Sequence, residues 1–402
     1  MSFVESIIHE AHFTPPGRAA RPMPLSNTPT SPAIAWADPV RERAFNTWLH
    51  AVGGACGLVP ASLRSASSDA SFRRYFRIDG HGGQSFIVMD APPPQEDVRP
   101  FIRVAGMLHG AGLNAPCVLA HDDALGFLLL TDLGAELCLD ALLDAQARGD
   151  AASADALMRD AIRALVQWQS RADASALPPY DDALLRRELA LFPQWCVTRE
   201  LGVTWGTTDQ AQWAATCDLL VRSALDQPTV AVHRDFMPRN LMVCRDVTGA
   251  VDRTGPSGNR ANTANLSILA NPGILDFQDA VRGPVSYDLA SLLRDAFISW
   301  EEEQEIDWAV RYWQAARKAG LPLSDDFGAF WRQMEWMGLQ RHLKVLGIFC
   351  RLKHRDAKPK YSEDLPRFFN YAHKVAARYN ALRPFSRMLE PLMGATRVEG
   401  FY

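Results

Sequence analysis

The stretch "VAVHRDFMPRNLMV", residues 230–243, sets His233, Asp235 and Asn240 between two apolar runs, Val230–Val232 and Leu241–Val243. Short apolar runs that flank a polar segment read as buried strands joined by a loop. Such a loop either carries chemistry or is an ordinary polar turn. Three fixed letters do not separate the two, so the rest of the chain has to decide.

The 402 residues, 48% of them hydrophobic, are enough to bury a large core in one or two domains, or in two lobes. A net charge of −4 and a pI near 6.2 give no bulk attraction to nucleic acid or to an anionic membrane. The seven cysteines are scattered, with no C-x-x-C pair. This argues against a disulfide framework or a zinc site and suits a reducing cytosol. No apolar run reaches the roughly 18 residues of a membrane span. The N-terminal "ESIIHEAH" carries acids and histidines where a signal peptide would carry bases. A cytoplasmic, monomeric protein is expected, with neither nucleic acid nor membrane as a partner.

Residues 1–39, rich in Pro, Ser and Thr, read as a disordered tail. A helix is expected from Val40 to about Gly53, with Phe45, Trp48 and Leu49 on one side. In "SFRRYFRI", Phe72, Arg74, Phe76 and Ile78 alternate with Arg73, Tyr75 and Arg77, and "SFIVMD" follows a Gly-rich turn, which predicts consecutive antiparallel strands. Val98, Phe101, Ile102, Ala105 and Leu108 fall on one helical stripe, and "GFLLLTDLG" (126–134) is a further strand. Beyond it the chain turns helical. One stripe carries Leu157, Ala161, Ile162, Leu165 and Trp168, and another, opened by the capping-type "SYD", carries Leu289, Leu292, Leu293 and Phe297. Strands first and helices afterwards predict an α+β protein. The expected lobes are a sheet lobe over 40–133 and a larger helical lobe over 134–402. A polar, Gly- and Asn-rich segment at 245–273 reads as a mobile insertion.

Directly after that segment, "GILDFQDAVRGPVSYDLASLLRD" delivers Asp276 at the end of an apolar strand and Asp288 at a helix start. Phosphoryl transfer needs a base beside the attacking hydroxyl and a few oxygen ligands for Mg²⁺. The H-R-D-x-x-x-x-N loop of kinases supplies both, through its Asp and its Asn. Together, "HRDFMPRNLMV" and "ILDFQDAVRGPVSYDLASLLRD" resemble the aminoglycoside-phosphotransferase family of kinase-like enzymes. Within it the similarity is closest to the bacterial anomeric kinases that act on N-acetylmuramate and N-acetylglucosamine in cell-wall recycling. It extends to "SDASFRRYFRI", "MDAPPPQEDVRPF", "GFLLLTDLG" and "RHLKVLGIFCRLKHRDAKPKY…DLPR", and covers roughly residues 40–385.

The resemblance implies a two-lobed, protein-kinase-like fold that uses ATP and Mg²⁺ to make a sugar 1-phosphate for peptidoglycan precursor synthesis. It makes Asp235 the base, Asn240 and Asp276 the metal ligands, and His233 and Asp288 structural supports of the loop. Ser68 and Ser71 in "SSDAS" match the phosphate-covering hairpin, and Asp132 lies in the adenine hinge "LLLTDLG". Kinases of this kind grip the nucleotide phosphates with a lysine on the third strand. Here that strand offers Met89 or Val88, and the first lysine of the chain is Lys318. An arginine of the neighbouring strand is the natural substitute, since a guanidinium grips phosphate oxygens bidentately. Arg74 is the choice among Arg73, Arg74 and Arg77, with Glu96 as its acidic partner or simply a helix-start charge.

On the acceptor side, "MGLQRHLKVLGIFCRLKHRD" (337–356) concentrates Arg341, His342, Lys344 and Arg351 among apolar positions. Arg341 and Lys344, one turn apart, suit a carboxylate such as the lactyl acid of N-acetylmuramate. A helix with a solvated basic face fits the same letters. Trp195, Trp300 and Trp336 are candidates for stacking on a sugar. Two further functions stay open. An antibiotic kinase would need an acidic pocket for its polycationic acceptor, which the basic 341–353 stretch does not offer. A nucleotide-binding pseudokinase would account for the absent lysine.

Overall fold

The computed structural model describes residues 34–68, 72–244, 272–358 and 363–394, so the 1–33 tail, Ser71 and residues 245–271 of the expected insertion lie outside the described residues. Its strands Arg64–Ser68 (β1), Arg74–Asp79 (β2), Ser85–Asp90 (β3), Val118–Asp122 (β4) and Phe127–Thr131 (β5) form an antiparallel sheet of order β1-β2-β3-β5-β4. Alternation gives each strand two faces. Phe76, Ile78, Val88, Phe127 and Leu129 build the outer face, closed by Phe45, Trp48 and Leu49 of helix Pro39–Cys56 (α1). Asp38 caps that helix, its carboxylate accepting from the Val40 N–H at 2.8 Å. Met89, Leu128 and Leu130 point the other way, onto Phe101, Val104, Ala105 and Leu108 of helix Arg99–Gly110 (α2). Sequence periodicity did not anticipate β1 and β4, because "RSASS" and "VLAHD" carry no apolar alternation.

The remainder is mainly helical, so the chain is α+β with a small antiparallel-sheet lobe and a larger helical one. The helices are Cys138–Ala147 (α3), Ala151–Arg171 (α4), Asp182–Leu189 (α5), Thr207–Leu225 (α6), Tyr287–Leu293 (α7), Glu302–Lys318 (α8), Phe327–Asp356 (α9), Leu365–Arg378 (α10) and Arg383–Leu389 (α11), with a π-helical segment Phe192–Glu200 after α5. Two short antiparallel pairs break the helical series. Thr229–Val232 (β6) pairs with Val281–Pro284 (β9), and Leu241–Met242 (β7) with Gly273–Ile274 (β8). These strands are buried, which is why the runs flanking the 233–240 loop are apolar. Phe101 of α2 packs on Phe277 just beyond β8, ring centroids 4.7 Å apart, so one apolar cluster continues from the sheet into the helical lobe. Ser286 does not cap α7 as "SYD" suggested; its hydroxyl donates to Gln227 Oε1 at 2.6 Å, and Phe297 falls beyond the helix end. Among the described residues no helix is long and apolar enough to cross a membrane.

The 30-residue helix α9 is the axis of the helical lobe, and from Met337 to Cys350 all its residues are buried. A helix packed on every side needs a place where a neighbouring backbone comes close. Gly347 provides it: a Cβ there would sit 2.5 Å from the Leu191 carbonyl carbon. Gly347→Ala is therefore expected to destabilise the helical lobe by ~1–3 kcal/mol despite alanine's better helix propensity. Urea unfolding followed by circular dichroism measures this; a neutral or stabilising substitution would contradict the packing.

Candidate active site

The loop after β6 leaves the strand through a left-handed residue, Arg234 (φ 77°). A β-region residue would carry the chain straight on; the αL residue turns it, and the surroundings must hold that turn. Asp288 of α7 does so. Its carboxylate accepts from the His233 N–H at 2.7 Å and from the Arg234 N–H at 2.9 Å. Burial pushes this acid up to about 7, against the pull of the two amides. His233 stands behind the loop. Its Nδ1 accepts from the Asp235 N–H at 3.3 Å, which fixes the tautomer and leaves Nε2–H to donate to the Leu275 carbonyl at 3.0 Å. Burial lowers its pKa to about 4, so the ring is neutral and both nitrogens are engaged within the protein.

Asp235 is 1% exposed, and neither of its carboxylate oxygens has a hydrogen-bond partner among the described residues. Buried carboxylates are ordinarily saturated with donors. Burial raises its pKa, opposed first by the charge of Lys344 and then by those of Arg234 and Arg341. The β7–β8 pair brings the other two oxygen-bearing side chains to it. Asn240 Nδ2 donates to the Asp235 carbonyl at 2.9 Å and lies 3.4 Å from Asp276 Oδ2, and the Leu275 N–H donates to the Asn240 carbonyl at 2.9 Å. Asp276, also left-handed (φ 66°), receives Gln278 Nε2 on its other oxygen at 2.8 Å. The Asp276 carboxylate and the Asn240 side-chain amide beside it can supply hard oxygen donors, and among the described residues no cluster of three or more His, Cys, Asp or Glu could hold a metal alone. That donor set suits an ion that keeps water and phosphate oxygens for its remaining ligands, as Mg²⁺ does.

The structure corrects the choice among the strand arginines. On β2, Arg74 shares the outer face with Phe76 and Ile78. There its guanidinium donates to Asp90 (Nε to Oδ2, 3.0 Å) and lies 3.9 Å over the Trp36 ring, away from Asp276. Arg77 is on the inner face but is held by Asp132, Nε to Oδ2 at 2.6 Å. Arg73, just before β2, is the arginine on the cleft side, 3.9 Å from both Glu96 Oε2 and Asp276 Oδ1. The alternation itself carried the signal, since Arg74 has the parity of two core residues. Asp132 is likewise not an open nucleotide contact: Arg77, the Ser85 hydroxyl and the Gly134 N–H occupy its carboxylate and brace the hinge. Ser68 ends β1, and its hairpin tip is outside the described residues.

On α9 the basic residues separate. Lys344 is not available to a substrate carboxylate: it is fully buried, with Nζ 3.0 Å from Glu188 Oε1 and 3.3 Å from the Tyr287 hydroxyl. Arg234 Nη2 reaches the same Glu188 oxygen at 2.6 Å. His342 turns into the core and stacks on Tyr371, centroids 5.0 Å apart, and burial lowers its pKa to about 3. Arg351 lies ten residues beyond Arg341, about 15 Å along the axis. Arg341 is 3% exposed, its charge acts on Asp235, Asp288 and Asp295, and its Nη1 has no hydrogen-bond partner among the described residues. Asp295 Oδ2 is similarly unpartnered, and burial pushes that acid up to about 6. The tryptophans pack among aromatic and aliphatic neighbours, Trp300 edge-on to Trp308 and Trp336 edge-on to Tyr379.

Glu188 went unnoticed in the sequence, because "RRELALF" on α5 holds no motif; only the fold shows one carboxylate facing two buried cations. Burial alone would raise its pKa, but Lys344 and Arg234 outweigh that and bring it to about 2. Glu188→Gln strands both cations and is expected to cost ~3–5 kcal/mol at pH 7. The folded pKa lies below the ordinary 4.5, so the ionised form contributes its full stability above pH 4.5 and loses it as pH falls through about 2. The stability gap between wild type and Glu188→Gln should therefore narrow over that window, as thermal melts at stepped pH would show. A pH-independent gap would contradict the assignment.

The chain matches the profile of the phosphotransferase enzyme family over residues 62–252 and 261–327. It is 48% identical to the N-acetylmuramate/N-acetylglucosamine kinase of Pseudomonas aeruginosa, a match covering 88% of this chain and 98% of that protein. The proteins of the same name from Neisseria meningitidis serogroup B and Caulobacter vibrioides are 44% and 32% identical, covering 84% and 76% of this chain and 92% and 85% of theirs. Among solved structures, Plasmodium vivax ethanolamine kinase superposes with a TM-score of 0.52 at 10% identity, covering 88% of this chain and 91% of that one. The GDP complex of aminoglycoside 2'-phosphotransferase-IIIa gives 0.51 at 15%, covering 84% and 99%. Those two similarities concern the fold, which is that of the kinase-like phosphotransferases. The sheet lobe, the 233–240 loop and the profile match agree: this chain belongs to the phosphotransferase enzyme family.

Proposed function

We propose that this protein is an ATP- and Mg²⁺-dependent sugar kinase that phosphorylates the anomeric hydroxyl of N-acetylmuramate or N-acetylglucosamine. The sugar follows from the relatives, 44–48% identical and aligned over 92% or more of their length, that carry that name. The reaction type rests on one observation above all: the buried Asp235 carboxylate without a donor, beside Asn240 and Asp276. The acceptor hydroxyl is the donor that carboxylate lacks. Asp235 orients it and takes its proton as the oxygen bonds to the γ-phosphorus. The bond between that phosphorus and the β,γ-bridging oxygen breaks, and ADP leaves with the electron pair. Asn240 and Asp276 would hold Mg²⁺, which when bound neutralises charge on the phosphate oxygens. Lys344 and Arg234 oppose the burial that raises the pKa of Asp235, and Glu188 balances them so that the pocket is not left with two uncompensated cations. Arg341, with a free donor beside Asp235, is the acceptor-side cation for the lactyl carboxylate.

Support for the kinase reading is expected from ADP release that requires Mg²⁺ and one of the two N-acetylated sugars. Asp235→Asn should lower kcat by about 10²- to 10⁴-fold with folding unchanged. Arg341→Met should raise KM for N-acetylmuramate more than for N-acetylglucosamine, which lacks the carboxylate. Turnover with kanamycin and not with the amino sugars would replace the substrate assignment. Nucleotide binding with no turnover on any acceptor would favour the pseudokinase, the reading that Met89 at the usual lysine position invites.

A further inference from the structure

The sheet lobe contains no lysine, yet a transferring phosphoryl group needs a cation on the nucleotide side as well as a metal. On β3, Ile87 and Met89 face inward, and Met89 is packed against apolar neighbours of the inner core at 1% exposure. The charge has to come from elsewhere. Of the three arginines at β2, Arg74 is engaged by Asp90 on the outer face and Arg77 by Asp132 at the hinge. Arg73 alone bridges the elements that meet at the cleft. Its guanidinium is 3.9 Å from Asp276, at the mouth of the helical lobe, and 3.9 Å from Glu96, just before α2. Both are ion-pair rather than hydrogen-bond distances. Glu96 is anchored in turn, its Oε1 accepting from the Phe72 N–H at 3.2 Å. This ties the acid to the backbone that carries Arg73.

We propose that Arg73 is the phosphate-gripping cation of this enzyme, with Glu96 as the positioning acid that holds it in the cleft. The assignment rests on the kinase function above but is tested without an acceptor. Approaching from β2 rather than β3, Arg73 lies beside Asp276. It therefore meets the same phosphates as a metal held by Asp276 and Asn240, and its long fork covers the distance that a β3 lysine would otherwise span.

The test is isothermal titration calorimetry of the full chain with Mg²⁺ and a non-hydrolysable ATP analogue, and separately with adenosine. Variants are Arg73→Met, Arg73→Lys, Arg74→Met, and Arg73→Met combined with Met89→Lys, each checked by thermal melt. Arg73→Met should weaken the ATP analogue about tenfold to a hundredfold and leave adenosine unchanged. Arg73→Lys should fall between it and wild type, and Arg74→Met should bind as wild type. Recovery of affinity on adding Met89→Lys, which returns a cation to β3, would give the strongest support. If Arg73→Met binds the analogue as wild type does, or weakens adenosine equally, Arg73 only ties the lobes together and the proposal is overturned. Arg73-dependent binding in a protein that phosphorylates no amino sugar would uphold this proposal while removing the substrate assignment.

Discussion

Two backbone amides, those of His233 and Arg234, point into one carboxylate, that of Asp288, and this contact determines where Asp235 goes. A left-handed, non-glycine residue such as Arg234 is strained by roughly 1–3 kcal/mol and persists only where its surroundings impose it. Asp288 imposes it from α7, and His233 secures the next residue from behind. The loop thus leaves β6, reverses, and returns through Asn240 to β7 with Asp235 at its apex. The proposed chemistry of the site follows from that placement: the proposed base, its neighbouring oxygen donors, and the helix α9 beneath it.

The electrostatic design is less local. A buried, unpartnered carboxylate is expensive, and its surroundings tolerate it because three buried cations act on it, Arg234 beside it in the loop and Lys344 and Arg341 from α9. Two of those cations, Arg234 and Lys344, depend on Glu188 of α5. Charge is therefore balanced across α5, the 233–240 loop and α9, with the acceptor hydroxyl proposed as the missing donor. An arrangement of this kind ties the proposed base to the packing of α5.

Patterns of short range were legible in the sequence. Motifs and the resemblance they carry grouped Asp235, Asn240 and Asp276, and periodicity put Phe45, Trp48 and Leu49 on one side of a helix and Phe101, Ala105 and Leu108 on one stripe of another. Charge on α9 was misleading for the opposite reason. A burst of basic letters cannot say which side of a fully buried helix each one faces, so Lys344, His342 and Arg341 looked alike. The structure sends one to Glu188, one to Tyr371 and one toward Asp235. Arg74 was chosen over Arg73 although strand alternation already grouped it with Phe76 and Ile78. Glu188 had no motif to mark it, because its two cationic partners are 46 and 156 residues away in the chain.

The claim at the centre of this account is that Asp235 is kept unpaired for the acceptor hydroxyl. A crystal structure of the chain with Mg²⁺, a non-hydrolysable ATP analogue and N-acetylmuramate tests it most directly. The account predicts the anomeric oxygen about 3 Å from an Asp235 carboxylate oxygen and in line with the γ-phosphorus. A sugar that offers Asp235 a different hydroxyl would contradict the regiochemistry. One bound out of its reach would contradict the account itself.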